Sequence, residues 1–298
     1  FLLDAGIEPE FYESEYAQYF QDAMFPDETL LSFKLDIVFI HTTNRNLTNW
    51  PEMTDTTEQI DEKLHTEINR FTAMWKSIAE KFHCPIIQNN FEMPLYRLLG
   101  SRDAWDIHGR TNFLTRLNEA FYAYARENES FYIHDLNFVS ADYGLKEWSN
   151  PLFWNMYKYA MCFEVSVSHI IKSIFGKNKK ALALDLDNTL WGGVVGDDGV
   201  DGIEIGQETG VSQSYYEFQT YVKQLKSLGI VLTVCSKNDH ENAIAGLNHP
   251  EGALRPDDFV IIKANWENKD RNIAETAAEL NILPDSIVFA DDNPAERE

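Results

Sequence analysis

Two aspartates, Asp185 and Asp187, directly follow a short apolar run in the middle of the chain. The run, Ala181–Leu184, predicts a buried strand, because four consecutive apolar residues suit a strand that is covered on both faces. A carboxylate at the end of such a strand needs a partner, since an unpaired buried charge is costly. A divalent cation is the simplest partner for a group of acids. Alternatively, the two aspartates cap the turn that follows the strand.

Three further predicted strands also end in residues that suit phosphate chemistry. They span residues 230–235, 259–262 and 286–290. Ser236 follows the first of them, Lys269 lies in the loop after the second, and Asp291 and Asp292 follow the third. Strands that alternate with helices form a parallel sheet, whose carboxyl-terminal strand ends lie at one edge. We therefore expect four acids, a hydroxyl and a lysine at that edge, which favours a shared function over unrelated turns.

In order and setting, these residues resemble the motifs of the haloacid dehalogenase-like (HAD) phosphotransferase superfamily. The run Asp185-x-Asp187-x-Thr189 resembles its first motif, Ser236 the second, Lys269 the third and Asp291–Asp292 the fourth. The resemblance implies a Rossmann-like HAD core and phosphatase or phosphotransferase activity. An aspartate at position 187, where other members have threonine or alanine, is similar to the phosphatase members rather than to the ATPases or dehalogenases.

The resemblance also implies a role for each side chain. Asp185 would be the nucleophile that forms an aspartyl-phosphate, and Asp187 would be the general acid and then the general base. Thr189 and Ser236 would orient the phosphate, and Lys269 would offset its charge.

A Mg²⁺ ion is part of the same implied site, because it would reduce the repulsion between the nucleophile and the phosphate. Its implied ligands are Asp185, Asp291 and the carbonyl of Asp187, with support from Asp292. Oxygen atoms are the ligands that Mg²⁺ prefers.

Two longer segments, Leu186–Gly193 and Phe289–Arg297, are similar to FkbH-like proteins. That similarity implies a degenerate SGNH-hydrolase-like domain before the HAD core. It also implies transfer of a glyceryl unit from 1,3-bisphosphoglycerate to an acyl carrier protein, with loss of phosphate. The alternatives are a phosphatase for small metabolites and a non-enzymatic or regulatory protein that binds a partner or an acyl group.

We expect two three-layer α/β domains with mainly parallel sheets, covering residues 1–176 and 180–298. The segment Gly176–Lys180 predicts the linker, because glycine ends a long helix predicted from Leu152 and basic polar residues follow it. In the first domain, two pairs of polar residues end predicted strands, where ligands bind in open α/β sheets, although ordinary turns have the same residues. These pairs are Asn89–Asn90 and His134–Asp135. The chain contains no Gly-Asp-Ser or Gly-x-Ser-x-Gly block for an esterase.

Residues 191–205 predict a β-hairpin flap over the end of the central strand, because short apolar pairs alternate with Asp-Gly turns. Only this flap and one helix separate the first and second motifs. We therefore expect no large cap domain and an open site that accepts large substrates.

Composition limits the partners. The chain has 298 residues and a formal net charge of −23, which argues against nucleic acids and anionic membranes as general partners.

Three unpaired cysteines, Cys84, Cys162 and Cys235, favour reduced thiols and a cytoplasmic location. The first residues lack the features of a signal peptide. The missing initiator Met and an end at a predicted helix start suggest a fragment that is truncated at its C-terminus.

Overall fold

The structure is a computed structural model that describes residues 1–15, 18–152 and 158–296, without the side chains of residues 158–163. It divides into two compact units, Phe1–Phe175 and Gly176–Glu298. Three sequence expectations lie outside the described residues. They are the first part of the helix predicted from Leu152, the thiol of Cys162, and Arg297 in the second FkbH-like segment.

The first unit contains a parallel sheet of three short strands in the order β1-β2-β3. The strands are β1 (Val38–Ile40), β2 (Ile86–Asn89) and β3 (Phe131–His134). In the central strand, Ile86 is in register with Val38 on one side and Phe131 on the other. All four residues of β2 are buried, and its two polar residues are hydrogen-bonded: Gln88 accepts from Trp75 Nε1 and Asn89 accepts from the Thr42 N–H.

Seven described α-helices belong to the first unit. They are α1 (Tyr19–Met24), α2 (Glu28–Ser32), α3 (Thr57–Phe82), α4 (Arg110–Glu127), α5 (Leu136–Tyr143), α6 (Leu145–Trp148) and α7 (Lys158–Ile174). Helix α3 begins at a capping box formed by Thr56 and Gln59 and ends at His83, whose φ is +53°. Its apolar stripe packs into an aromatic core, where the Trp75 ring lies 4.7 Å from the Phe121 ring.

The second unit contains a four-stranded parallel sheet in the order β6-β5-β4-β7. The strands are β4 (Ala181–Leu184), β5 (Val231–Ser236), β6 (Ile261–Ala264) and β7 (Ile287–Ala290). Ala181 of β4 is in register with Val231 of β5 and Ile287 of β7, so β4 has a partner on each side. The two parallel sheets confirm the predicted α/β fold class, and all four β4 residues are buried as their apolar run predicts.

Four described α-helices belong to the second unit. They are α8 (Val195–Asp198), α9 (Gly210–Ser227), α10 (His240–Leu247) and α11 (Lys269–Glu279). Thr209 caps α9 by accepting a hydrogen bond from the Ser212 N–H, and Gly229, with φ +93°, turns the chain into β5. No helix of the described residues in either unit is long and apolar enough to cross a membrane.

The predicted β-hairpin flap is wrong in its detail. The two ends of the segment pair only at Gly192 and Glu204, whose backbone groups exchange hydrogen bonds of 3.0 and 2.8 Å. Helix α8 and a 3-10 turn, Val200–Gly202, lie between these ends. Asp198 Oδ2 accepts a hydrogen bond from the Val194 N–H and so stabilises a helical turn where we expected a strand. Four apolar side chains of the segment are buried in the core of the unit, namely Trp191, Val195, Ile203 and Ile205, whereas Val194 is exposed.

Candidate active site

A buried lysine joins two buried aspartates where β4 and β7 end. Lys269, the first residue of α11, places its Nζ 2.8 Å from Asp185 Oδ2 and 2.5 Å from Asp291 Oδ2. All three residues are more than nine-tenths buried. Burial disfavours the ammonium charge, but the hydrogen bonds and charges of the two aspartates outweigh it and raise the pKa of Lys269. The lysine is therefore a fixed positive charge between two acids.

The carboxylates of Asp185, Asp291 and Asp292 form a group that fits a metal ion. One oxygen from each carboxylate lies within 4.8 Å of the other two. Asp185 Oδ1 is buried without a hydrogen-bond partner in the described part of the chain, so it needs a cation or an electrophile nearby. Three carboxylates, one of which carries the orphaned oxygen, match the hard-ligand chemistry of Mg²⁺.

The side chain of Asp187 lies outside this group, so the prediction that it ligates the metal is wrong for the carboxylate, and the backbone carbonyl of Asp187 stays a predicted ligand. Asp187 Oδ1 accepts hydrogen bonds from Trp191 Nε1 at 2.9 Å and the Val195 N–H at 3.0 Å. Oδ2 accepts one from Asn238 Nδ2 at 2.9 Å. Burial raises the pKa of Asp187; the hydrogen bonds from the Val195 N–H and Trp191 Nε1 oppose the shift, and the charge of Asp185 adds to it. The raised pKa suits a group that donates and recovers a proton.

Trp191 and Asn238 are the two side chains of this arrangement that the sequence analysis missed. The Trp191 indole is almost fully buried and packs against α10 at Gly246, where a Cβ atom would lie only 2.7 Å from the ring. Asn238 lies two residues after Ser236, in the same strand-end turn. The argument that selected Ser236 applies equally to Asn238, whereas an indole after a strand looks like an ordinary core residue.

An open cleft of about 240 Å³ contains most of the predicted site residues. Its lining includes Asp185, Asp187, Ser236, Lys269, Asp291 and Asp292. Thr189 is not among the residues that line it. Instead, Thr189 Oγ1 accepts a hydrogen bond of 3.1 Å from the backbone N–H of Asp292, and so holds the loop after β7. Six of the seven predicted side chains are thus brought together.

The polar strand ends of the first unit form hydrogen bonds with one another and with nearby loops. Asn90 Nδ2 donates to Asp135 Oδ1 at 2.6 Å, and Asn89 Oδ1 accepts the Thr42 N–H at 2.8 Å. Asp135 also caps α5. Burial lowers the pKa of His134 to about 4, so its imidazole is neutral at physiological pH. These contacts favour the turn interpretation of the four residues over a catalytic one.

Comparisons with known proteins give one informative relative. No family model and no curated protein matches the chain. Among solved structures, the chain is similar to the N-terminal part of the protein BF1531 from Bacteroides fragilis, which contains a phosphatase domain and was crystallised in complex with Mg. The TM-score is 0.84 and the sequence identity 32%, over 96% of this chain and 77% of the other. The chain therefore has a HAD-like phosphatase fold and belongs to the same family as this phosphatase-domain protein from Bacteroides fragilis.

Proposed function

We propose that the chain is a Mg²⁺-dependent phosphatase that acts through an aspartyl-phosphate on Asp185. The observation that carries this proposal is the buried group of Asp185, Asp291 and Lys269, in which Asp185 Oδ1 has no hydrogen-bond partner among the described residues. The similarity to a phosphatase domain complexed with Mg supports the same chemistry. Mg²⁺ held by the three carboxylates of the metal group and the Asp187 carbonyl would reduce the repulsion between nucleophile and phosphate.

The two proposed steps use Asp185 and Asp187 in turn. The Asp185 carboxylate attacks phosphorus, the bond between phosphorus and the ester oxygen breaks, and Asp187 gives its proton to the departing oxygen. Asp187, now a carboxylate, then takes a proton from water while the water oxygen attacks phosphorus. The acyl–phosphate bond breaks, inorganic phosphate leaves, and Asp185 is again a carboxylate while Asp187 is again an acid.

The surrounding residues position these two groups. Lys269 fixes Asp185 through Oδ2, which leaves Oδ1 free of hydrogen bonds within the described structure. Ser236 is 2% exposed at the end of β5 and lines the cleft beside Asp185, where its hydroxyl can donate to a phosphoryl oxygen. The donors around Asp187 hold its carboxylate in one orientation, so proton transfer needs little reorganisation.

Release of phosphate from p-nitrophenyl phosphate, measured with and without Mg²⁺, tests the proposal. Asp185→Asn removes the nucleophile and should lower kcat by at least about 10³-fold. Asp257→Asn, at an exposed position outside the cleft, is the matched control and should leave kcat unchanged. Full activity of Asp185→Asn, or activity that does not depend on Mg²⁺, would refute the proposal.

We also propose a second candidate, the transfer of a glyceryl unit from 1,3-bisphosphoglycerate to an acyl carrier protein by an FkbH-like protein with an SGNH-like first domain. The open cleft favours it, because only α8, a 3-10 turn and α9 lie between β4 and β5. An acidic carrier would need a basic patch on this acidic chain. The exposed lysines Lys177, Lys179 and Lys180 could supply one.

Intact mass measurement of a carrier protein incubated with the chain, Mg²⁺ and 1,3-bisphosphoglycerate tests this second candidate. A glyceryl adduct that disappears with Asp185→Asn would support it. An unmodified carrier, together with release of phosphate from simple esters, would leave only the phosphatase proposal.

A further inference from the structure

Lys237 is a second lysine at the cleft, and its surroundings differ from those of Lys269. It directly follows Ser236 at the end of β5 and lines the cleft. Its Nζ donates a hydrogen bond of 2.7 Å to Oε1 of Glu296, which lines the same cleft. Of the described residues in this lining, only Lys237 and Lys269 carry a positive side chain. A phosphate that enters the cleft therefore meets one lysine that the sequence analysis did not consider.

The two lysines differ in how easily each can leave its present partner. Lys269 is 6% exposed and bonds two buried carboxylates, those of Asp185 and Asp291. Moving it would leave both acids without their cation, which is costly. The Lys237 side chain is 40% exposed and that of Glu296 is 25% exposed, and an ion pair so close to water contributes little to stability. Lys237 is thus the lysine that can change its partner.

The charges of the proposed metal site are balanced before a substrate binds. The three carboxylates of the metal group contribute three negative charges, and Lys269 and the proposed Mg²⁺ together contribute three positive ones. A phosphate monoester would add close to two negative charges at neutral pH, and this group has no further cation to offset them. Lys237 can supply a positive charge if it leaves Glu296.

The backbone that carries the Lys237–Glu296 pair is held in place by the site itself. After β5, the side chain of Asn238, the residue next to Lys237, donates a hydrogen bond of 2.9 Å to the proposed acid. After β7, Asn293 donates its N–H to Asp291 Oδ1 at 2.8 Å and accepts that of Glu296 at 3.2 Å. A change of partner by Lys237 therefore needs only the rotation of side chains, which is fast for residues in contact with water.

We propose that Lys237 binds a phosphoryl oxygen of the substrate and that Glu296 holds this lysine until the substrate arrives. This inference rests on the proposed phosphatase activity and adds a phosphate-binding residue and its competitor. When the phosphate enters the cleft, Lys237 exchanges one charge-assisted hydrogen bond, to the Glu296 carboxylate, for another, to the phosphate. Lys237 thereby takes the role that the sequence analysis assigned to Lys269.

Steady-state kinetics with p-nitrophenyl phosphate and Mg²⁺ tests the inference, because the two substitutions should act in opposite directions. Lys237→Met removes the contact with phosphate and should raise KM at least about tenfold, with kcat within about twofold of the wild type. Glu296→Gln removes the competitor and should lower KM by about two- to fivefold, the range expected for the loss of an exposed ion pair. Isothermal titration calorimetry with inorganic phosphate and Mg²⁺ should show the same two directions in Kd.

A double variant separates an exchange of partners from simple repulsion between Glu296 and phosphate. In the Lys237→Met background, Glu296→Gln should leave KM unchanged, because no lysine remains to be released. Glu279→Gln is the matched control: Glu279 accepts a hydrogen bond of the same length, 2.7 Å, from Lys263, and neither residue lines the cleft. This control should change neither KM nor the Kd for phosphate.

The outcomes separate this inference from the phosphatase proposal. Turnover with a KM that Lys237→Met does not change would refute the role of Lys237 and leave the phosphatase proposal standing. A lower KM in the double variant than in Lys237→Met would show direct repulsion by Glu296 and overturn the exchange. Absence of turnover, with phosphate binding that responds to both substitutions as expected, would refute the phosphatase proposal alone.

Discussion

Glu92 is a buried acid in the first unit. Replacing it with an uncharged residue should stabilise that unit at neutral and alkaline pH. Its side chain is 5% exposed and accepts a long hydrogen bond of 3.4 Å from the Asn44 N–H. Burial raises the pKa of Glu92 from 4.5 to about 7, although this backbone contact and the charge of Arg45 oppose the shift. Glu92→Gln keeps the shape of the side chain and removes the charge.

The direction of the pH dependence follows from the number of protons that the folded and the unfolded chain bind at Glu92. Between pH 4.5 and about 7 the folded chain keeps the Glu92 proton while the unfolded chain loses it, so the free energy of unfolding falls as the pH rises. At about 1.4 kcal/mol for each pKa unit, the full cost is about 3 kcal/mol above pH 7.5 and less than about 1 kcal/mol at pH 5. Glu92→Gln has no carboxylate to bury. Its free energy of unfolding, relative to that of the wild type, should therefore rise by about 2 kcal/mol from pH 5 to pH 8.

Hydrogen exchange of β2 and α3 peptides in a urea series, read by mass spectrometry at both pH values, would measure this unit alone. Glu62→Gln, at an exposed position on α3, is the matched control and should change stability by less than about 0.5 kcal/mol at either pH. If Glu92→Gln and Glu62→Gln show the same dependence on pH, burial does not control the ionisation of Glu92 and the reasoning is refuted.

Two further substitutions test the second unit. Lys269→Met leaves the Asp185 and Asp291 carboxylates buried without their cation, so urea unfolding in EDTA should show a loss of about 3–5 kcal/mol; a loss below about 1 kcal/mol would contradict this account of the ion pairs. Trp191→Phe keeps an aromatic ring but removes one hydrogen bond to Asp187, and kcat should fall about tenfold without loss of the fold. An unchanged kcat would mean that the other two donors are enough to orient the acid.

The positions of the site residues at the ends of strands were predictable, because the residues that form each strand can be identified from the local sequence. An apolar run such as Ala181–Leu184 needs burial on both faces, and the alternation with helices makes the sheet parallel. From these two facts, the meeting of Asp185, Ser236 and Asp291 at one edge follows without any knowledge of the packing. In the structure, these three residues line one cleft.

The hydrogen-bond partners of the site residues were not predictable, because they depend on distances between side chains that the spacing of residues in the sequence does not give. The sequence analysis assigned Lys269 to the phosphate, whereas the structure bonds it to Asp185 and Asp291. It assigned Thr189 to the phosphate as well, yet the hydroxyl holds the loop of Asp292. The role of Thr189 in binding phosphate stays a prediction that its position does not favour.

The helical turn at 195–198 was missed because a side-chain contact decides it. Asp-Gly pairs between apolar residues favour a hairpin, but Asp198 accepts the Val194 N–H and Gly199 has a φ of +71°, which ends a helical turn. The Val195 N–H at the start of this turn points to Asp187. The wrong prediction therefore covers residues 191–205, which supply two of the three hydrogen-bond donors to Asp187, namely Trp191 Nε1 and the Val195 N–H.

The order of strands in the second unit has a consequence for biosynthesis. Strand β4 is made first, but its two neighbours, β5 and β7, come later, and β7 is the last strand described. Until β7 has been made, β4 exposes an apolar edge with unpaired backbone groups, which invites pairing with other chains. Parallel pairing between distant segments is also slow to form. The nascent chain thus passes through an aggregation-prone stage that ends when β7 pairs with β4, and the same strand places Asp291 and Asp292 at the site.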